Sequence, residues 1–164
     1  MRILLTVLLL FGVLSTSACS SSKFKSYDGP EVTQLFISKE NRKLYLLNGK
    51  DILADYDIKL GFAPQGHKQM RGDGRTPEGF YLINRRNPNS SYHLSLGISY
   101  PNRRDVEAAK SVGLDPGGDI FIHGANSKGP NGGDWTAGCI AVKDSEIEEI
   151  YAMVKDGTPI YIAP

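Results

Sequence analysis

The hydrophobic positions of this 164-residue chain occur mostly in short runs that alternate with polar positions, a pattern typical of half-buried strands. Between the first two runs, the polar residues 39–42 predict a turn and therefore a hairpin. Asn48-Gly49 is a tight-turn signal that leads into a third strand. Residues 61–79 are dense in Gly and Pro and are predicted to form a loop. The predicted strands are 34–38, 43–47, 52–60, 80–84, 92–99 and 158–163.

A helical period appears close to the C-terminal end. The apolar residues with spacing i, i+3, i+4 and i+7 are Ile147, Ile150, Tyr151 and Val154. Asp144 is predicted to be the N-cap of this helix, Gly157 its C-terminal cap, and Pro159 the residue that prevents its continuation. A second, shorter helix of one or two turns is predicted at 106–112, where Gly113 stops it.

The segment 120–142 carries the candidate chemistry. It begins with an apolar run that contains His123 and ends with another that contains Cys139, and the residues between are mostly glycine, small or polar. A connection this long without a helix or strand pattern is uncommon unless it has a function. If the loop folds back, His123 can meet Cys139, and such a pair can act as base and nucleophile. The alternative for Cys139 is a small buried residue of a strand.

Residues 1–18 are predicted to be a signal peptide. Arg2 supplies a basic start, and the twelve residues 3–14 form an apolar core. This core is too short to span a bilayer, which takes a helix of about 20 apolar residues. Small residues then precede Cys19, which resembles a bacterial lipobox, so we expect lipidation of Cys19 and a membrane anchor. Ordinary cleavage after residue 18 is the alternative. Residues 19–30 are predicted to be a Ser-rich tether.

Composition predicts one soluble domain, and residues 31–164 are expected to form it, which is within the size range of a single hydrophobic core. The 19 Lys and Arg residues nearly balance the 18 Asp and Glu residues, so no overall field would recruit nucleic acid. We expect a monomer. A metal site on Cys139 and His123 is not expected, because zinc usually takes three or four such ligands and His67 and His93 lie in separate segments.

Three stretches resemble the active-site region of the L,D-transpeptidase (YkuD-type) catalytic domain family. They are His123-Gly124 followed by a Gly-rich loop and residues 136–142 (TAGCIAV), residues 72–81 (GDGRTPEGFY) and residues 92–101 (YHLSLGISYP). The resemblance extends over roughly residues 32–162. It implies a mainly β fold, sandwich-like or barrel-like, with one clear C-terminal helix and a short additional helix.

The family resemblance also implies roles for individual residues. Cys139 would be the nucleophile, His123 the general acid and base, and the backbone carbonyl of Gly124 the group that orients the imidazole. The backbone N–H groups of Gly138 and Cys139 would stabilise the oxyanion. No cofactor is implied.

This chain departs from the family pattern at two positions. Where the family often has a His before Gly-Cys and an Arg two positions after the Cys, the chain has Ala137 and Ala141. The second change removes a possible partner for a substrate carboxylate. The residues expected to bind substrate are Thr136, Trp135, Tyr100 and Arg75. His93 and His67 are expected to be structural or surface residues.

The function implied is an exported, cell-wall cysteine acyltransferase that acts on peptidoglycan stem peptides. Cys139 would attack the carbonyl of diaminopimelate in a tetrapeptide, D-alanine would leave, and an amine would accept the acyl group. With water as acceptor the same site would be a carboxypeptidase or endopeptidase. A non-catalytic peptidoglycan-binding lipoprotein is the alternative from another class. Ser20 after Cys19 favours an outer-membrane destination.

Overall fold

The computed structural model describes residues 22–125 and 133–164. Within them, eight strands and two helices follow one another along the chain. The elements are β1 (Gln34–Ser38), β2 (Lys43–Asn48), β3 (Asp51–Asp57), β4 (Gly79–Asn87), β5 (Ser95–Ile98), α1 (Arg103–Ser111), β6 (Phe121–His123), β7 (Ile140–Ala141), α2 (Asp144–Met153) and β8 (Pro159–Ala163).

The strands form one curled sheet in the order β3-β2-β1-β8-β4-β5-β6-β7. Two pairs, β1 with β8 and β6 with β7, are parallel, and the other neighbouring pairs are antiparallel. The chain beyond β3 returns to the opposite edge of the sheet, where Lys59 exchanges two backbone hydrogen bonds of 2.8 Å with Ala141. The predicted mainly β, barrel-like fold with two helices is therefore confirmed.

The inner face of this curled sheet encloses the core together with α2. Fully buried aliphatic side chains from every part of the sheet meet there, among them Leu35, Leu44, Ile83, Leu96, Ile122 and Ile160, and α2 adds Ile147 and Ile150. In β1, β2 and β8, buried positions alternate with less buried ones, which is the period-two pattern that the sequence shows. The helical stripe of α2 faces this core as predicted.

The ends of both helices differ from the predictions. The N-cap of α2 is Lys143, and Asp144 is the first helical residue, whose carboxylate accepts a 2.6 Å hydrogen bond from the Ala125 N–H. The C-cap is Val154 rather than Gly157, which lies in the turn before β8. In α1 the cap is Asn102, which forms a capping box with Asp105, so this helix begins earlier than predicted.

Three predicted strands also have other bounds. β3 ends at Asp57 instead of residue 60. β4 is longer than predicted and extends to Asn87, whereas β5 begins at Ser95 instead of residue 92. His93 adopts a positive φ of 71°, which is incompatible with an extended strand. Residues 92–94 are therefore a turn that brings Tyr92 towards His123, with ring centroids 4.5 Å apart.

The N-terminal segment 22–30 has no regular secondary structure, yet its side chains contact the domain. The Lys23 ammonium donates to the carbonyls of Pro88 at 2.7 Å and His93 at 3.2 Å. Lys25 pairs with Glu149 on α2 at 3.2 Å. The predicted signal peptide and Cys19 lie outside the described residues, so their roles and the boundary at residue 31 stay predictions.

Candidate active site

The candidate site is built on two rows of paired residues that run across β4, β5 and β6. The pairing register aligns Arg85 with Gly97 and Gly97 with Phe121, and two positions further along the strands, on the same face of the sheet, it aligns Ser95 with both Asn87 and His123. On the far side of β6, Ile122 pairs with Ile140. Because the register continues by one residue, Cys139 lies beside Phe121, and Ala141 lies beside His123.

His123 ends β6 and is almost completely buried, with 3% of its surface exposed. Its Nδ1 lies 2.7 Å from the carbonyl oxygen of Gly124. Because a carbonyl can only accept, Nδ1 carries the proton in this contact, and the neutral ring then has its lone pair on Nε2. The Tyr92 ring lies 4.5 Å from the imidazole, and the Trp135 ring lies 5.9 Å from it. The ring is thus fixed in one tautomer and one orientation.

His123 and Cys139 line the same cavity, which has a volume of about 260 Å³. The sequence separates the two residues by sixteen positions, and the parallel pairing of β6 with β7 brings them together. The other lining residues come mainly from the end of β4, the turn before β5 and the approach to β6. They are Asn87, Ser90, Ser91, Tyr92, Ser95, Asp119 and Phe121.

The Cys139 thiol is partly buried, and its Sγ lies 3.5 Å from the carbonyl oxygen of Asp119. Burial raises the pKa of Cys139 above the ordinary thiol value, whereas the Phe121 N–H and the charge of Lys68 act in the opposite direction. Burial has the larger effect, so the folded environment disfavours the thiolate form of Cys139.

Gly138 has a packing role that the sequence prediction did not include. Its φ is +127°, and a Cβ at this position would lie 2.5 Å from the Arg75 carbonyl oxygen. The Gly138 N–H, which was predicted to stabilise the oxyanion, is buried and donates to the Thr136 hydroxyl at 3.2 Å. That hydroxyl itself donates to the Cys139 carbonyl at 2.7 Å. Thr136, which was predicted to bind substrate, holds the backbone around Cys139 through these two hydrogen bonds.

Two of the other predicted substrate contacts lie away from the cavity. Tyr100 is buried, and its hydroxyl donates to the Pro116 carbonyl at 2.9 Å. Arg75 presents its backbone to Gly138, while its guanidinium lies near Gly66 in the same loop. Trp135 lies beside His123 as an aromatic wall, although it is not among the residues that line the cavity. The roles of Tyr100 and Arg75 in substrate binding stay predictions.

The remaining two histidines are held by neighbouring groups. His93 Nε2 lies 2.8 Å from a Glu148 carboxylate oxygen. His67 accepts from the Glu78 N–H at 3.0 Å through Nδ1, and its Nε2 lies 3.2 Å from Asp105. His67 lines a larger cavity of about 650 Å³ beside α1, but both of its ring nitrogens are engaged within the protein and no cysteine lines that cavity. The smaller cavity is therefore the candidate active site, because it brings His123 and Cys139 together.

Sequence reasoning did not identify Tyr92, Ser95, Asp119 or Phe121 as members of the site. Ser95 and Phe121 enter it only because of the strand register, which no local pattern reveals. Asp119 has a positive φ of 56° in a Gly-rich stretch, and this irregular backbone turns its carbonyl to the thiol. An aromatic residue in a turn is a candidate for a site residue, but the sequence predicted Tyr92 to lie in a strand, so its place in the site was missed.

The described residues contain no group of three or more His, Cys, Asp or Glu side chains arranged to hold a metal ion. Over residues 22–125 and 133–164, no helix has the length and apolar character needed to cross a membrane. The expectations of no metal and no cofactor remain predictions.

Comparison with known proteins identifies the family. The family model of the YkuD L,D-transpeptidase catalytic domain matches residues 33–162. The chain is 29% identical over 152 residues to the putative L,D-transpeptidase YafK of Escherichia coli K12, an alignment that covers 87% of this chain and 56% of that protein.

Two solved structures resemble the fold. Pgp2 of Campylobacter jejuni, described as a helical cell shape determining protein, has a TM-score of 0.64 and 27% identity, covering 83% of this chain and 49% of its own. Bd1075 of Bdellovibrio bacteriovorus has a TM-score of 0.58 and 26% identity, covering 81% and 48%. The chain thus spans about half the length of these relatives. It belongs to the YkuD-type L,D-transpeptidase catalytic domain family.

Proposed function

We propose that this protein is a cysteine acyltransferase that acts on peptidoglycan stem peptides, with Cys139 as nucleophile and His123 as general acid and base. The observation that carries the proposal is their shared cavity, in which the Nδ1–Gly124 contact of 2.7 Å directs the Nε2 lone pair to serve as the base. Gly124 is the orienting group. A carbonyl suffices for this role, because it fixes the tautomer without adding a charge.

The reaction consists of two acyl transfers. His123 takes the thiol proton as Sγ attacks the peptide carbonyl, and the tetrahedral intermediate collapses when the leaving amine receives that proton. A thioester remains on Cys139. An acceptor amine then attacks the thioester, loses its proton to His123, and the proton returns to the thiol as the new amide forms.

The oxyanion donor is the Cys139 N–H, the second member of the pair named from the sequence. Gly138 serves this step indirectly, because its engaged N–H and its close packing on Arg75 hold the backbone that carries the Cys139 amide. Burial of the thiol favours attack by general-base catalysis over a stable thiolate at rest. This mechanism keeps Cys139 unreactive until a substrate carbonyl is in place.

The substrate is assigned from family membership together with the site. The acyl donor is the tetrapeptide stem with diaminopimelate at its third position, and the acceptor is an amine or water. Export by residues 1–18, a lipid anchor on Cys19 and an outer-membrane destination complete the proposal. Since Pgp2 is described as a cell shape determining protein, we extend a role in cell-wall shape to this chain as part of the same proposal.

The direct test is incubation of the purified protein with disaccharide-tetrapeptide, followed by mass spectrometry of both protein and products. We expect a covalent adduct on Cys139 and release of D-alanine. A cross-linked or amine-exchanged product identifies a transferase, and a tripeptide identifies a carboxypeptidase. Cys139→Ala should abolish both adduct and release, and His123→Ala should slow them by about 100-fold or more. Turnover by Cys139→Ala would disprove the mechanism.

A further inference from the structure

We propose that Arg85 binds a carboxylate of the acyl-donor peptide at the rim of the Cys139 cavity. This inference rests on the proposed function and deepens it, because it identifies a specificity-determining residue for the donor. Neither the family motif nor the sequence spacing places Arg85 near Cys139. The placement comes from the strand register and from the path of the Arg85 side chain.

Arg85 belongs to the same transverse row of the sheet as Cys139. The row runs from Arg85 on β4 through Gly97 on β5 to Phe121 on β6, and Cys139 lies beside Phe121. Neighbouring strands are about 4.8 Å apart, and side chains at paired positions point to the same face. Phe121 is therefore about one strand spacing from the nucleophile.

Gly97 allows the Arg85 side chain to cross β5. A Cβ on Gly97 would lie 3.0 Å from the Arg85 Cβ and 3.1 Å from its Nε. In the absence of a side chain there, the guanidinium reaches the Phe121 ring, with Cζ 4.6 Å from the ring centroid. This is a cation–π contact, and Phe121 lines the catalytic cavity. The glycine thus provides the path along which the positive charge reaches the rim.

The guanidinium is also close to the thiol through Asp119. Its Nη2 lies 3.3 Å from the Asp119 carboxylate, while the carbonyl of the same Asp119 lies 3.5 Å from Sγ. Both partners are exposed, 52% for Arg85 and 78% for Asp119, so this ion pair is screened by water and weak. A guanidinium has five N–H donors, and one contact to Asp119 leaves others for an incoming carboxylate.

The neighbouring arginine has a different and purely structural position. Arg86 donates to the carbonyls of Tyr151 and Val154 at the end of α2, and its guanidinium lies 3.9 Å from the centroid of the Tyr151 ring. Arg86 is therefore committed to holding α2 on the sheet. Ala141, where the family often has an arginine, is completely buried and uncharged in the His123 row. Arg85 supplies a positive charge that this position lacks.

The ligand is a carboxylate of the donor peptide, which has two sources. One is the side-chain carboxylate of diaminopimelate, and the other is the C-terminal carboxylate of the D-alanine that leaves. An Arg fork recognises either one in a planar, two-bond geometry that a lysine ammonium cannot reproduce. Three tetrapeptides separate the sources: one unmodified, one amidated at the C-terminus, and one amidated at the diaminopimelate side chain.

The test measures peptide binding in the Cys139→Ala background, where turnover does not intervene. We expect Arg85→Gln to raise the Kd of the unmodified peptide about tenfold, and Arg85→Lys to raise it less. Against one of the amidated peptides, Arg85→Gln should have no further effect, and that peptide identifies the bound carboxylate. Arg103→Gln is the matched control, because Arg103 forms an exposed pair with Glu107 on α1 away from the cavity.

Asp119→Asn gives an independent measurement that does not alter Arg85. It removes the competing carboxylate, and asparagine tolerates the positive φ of this position. We expect it to lower the Kd of the unmodified peptide about threefold through the freed guanidinium. In Asp119→Asn combined with Arg85→Gln, this gain should disappear.

The outcomes separate the inference from the function on which it rests. Normal turnover by the wild-type protein, with equal Kd values for Arg85→Gln and Arg103→Gln, would overturn the role of Arg85 alone. If the ratios of Kd among the three peptides are the same for Arg85→Gln as for its Cys139→Ala parent, the role of Arg85 would be overturned as well. Absence of both binding and turnover in the wild-type protein would overturn the proposed function together with this inference.

Discussion

The hydroxyl of Thr136 donates a 2.7 Å hydrogen bond to the carbonyl oxygen of Cys139, and the hydroxyl oxygen of Thr136 accepts the Gly138 N–H at 3.2 Å. Thr136 is itself buried, with 4% of its surface exposed. One side chain therefore fixes the backbone on both sides of the Gly138–Cys139 peptide bond. We expect its influence on acylation to be indirect, since it positions the backbone of Cys139, the proposed nucleophile, and does not line the cavity.

Thr136→Val tests this relationship, because valine has nearly the same shape and lacks the hydroxyl. We expect the free energy of unfolding to fall by about 1–3 kcal/mol, since a buried N–H and a buried carbonyl lose their partner. The rate of acylation should fall as well, with little change in peptide Kd. Thr136→Ser retains the hydroxyl and is the control. Unchanged acylation in Thr136→Val would show that the loop is held by other contacts.

The pKa direction of Cys139 predicts how its reactivity depends on pH. Because burial raises this pKa, alkylation by iodoacetamide should be slower at neutral pH in the folded protein than in urea, and its midpoint should lie at higher pH. The same shift makes the stability of the folded protein depend on pH. Because the pKa of Cys139 is higher in the folded than in the unfolded protein, this group stabilises the folded state at low pH. The contribution is lost as the pH rises through the pKa of the folded state.

Alkylation rates of Cys139 against pH, measured in folded and unfolded protein, provide the check. A folded protein that reacts faster than the unfolded one near neutrality would indicate a preformed thiolate, in contradiction to attack by general-base catalysis.

The loop that packs on Gly138 contains a buried ion pair between Lys68 and Asp73. Their side chains are 3% and 8% exposed, and Nζ lies 2.8 Å from the carboxylate. Burial alone would raise the pKa of Asp73, but Lys68 and the N–H groups of Gln69, Arg75 and Met70 together lower it. Because the pKa of Asp73 is lower in the folded than in the unfolded protein, this group stabilises the folded state at pH values above its unfolded-state pKa. The contribution is lost as the pH falls through the folded-state pKa, which lies below the ordinary range of Asp.

Asp73→Asn should therefore destabilise the protein by about 3 kcal/mol or more, because the Lys68 ammonium is left buried without its charge partner. It should also flatten the acid limb of the stability curve. Glu31→Gln is the control, since Glu31 and Lys155 form an exposed pair, and its cost should be less than about 1 kcal/mol. Urea unfolding across the acid pH range measures both. Equal effects of the two variants would contradict the prediction.

Lys23 connects the N-terminal segment with the turn that carries Tyr92. Its two hydrogen bonds to the Pro88 and His93 carbonyls span this turn, which lines the cavity. Lys23→Ala should increase hydrogen exchange of the amides in 88–93 and slow acylation several-fold. Lys25→Ala removes an exposed pair with α2 from the same segment and is the matched control. Exchange that is identical in the two variants would contradict the prediction.

Cys19 precedes Lys23 by four residues, which an extended chain spans in at most about 14 Å. If Cys19 is lipidated as we propose, the protein from its native host should partition into detergent and have the added mass of the acyl groups. Cys19→Ser should abolish both properties and leave the Cys139 chemistry intact. A soluble mature form with an unmodified Cys19, identified by intact mass, would contradict the anchor.

The sequence by itself determined the fold class and predicted the pair that we propose as the reacting residues. Period-two alternation in β1, β2 and β8 and the helical stripe of α2 are local patterns, and each element buries the face that its pattern indicates. His123 and Cys139 were identifiable because a cysteine and a histidine flank one Gly-rich loop, so a single fold-back brings them together. The errors at the ends of the helices arose where a neighbouring segment, not the local sequence, decides which group satisfies the backbone.

Only the tertiary structure decided what surrounds these two residues. The register of β4, β5 and β6 places Arg85, Phe121 and Cys139 in one row, although they are far apart in sequence. The Gly138 N–H donates to the Thr136 hydroxyl because the loop turns back on itself there. Tyr100 can be buried because its hydroxyl donates to the Pro116 carbonyl. Register and loop packing depend on long-range contacts that satisfy polar groups and fill the core. Residue type and spacing do not specify those contacts.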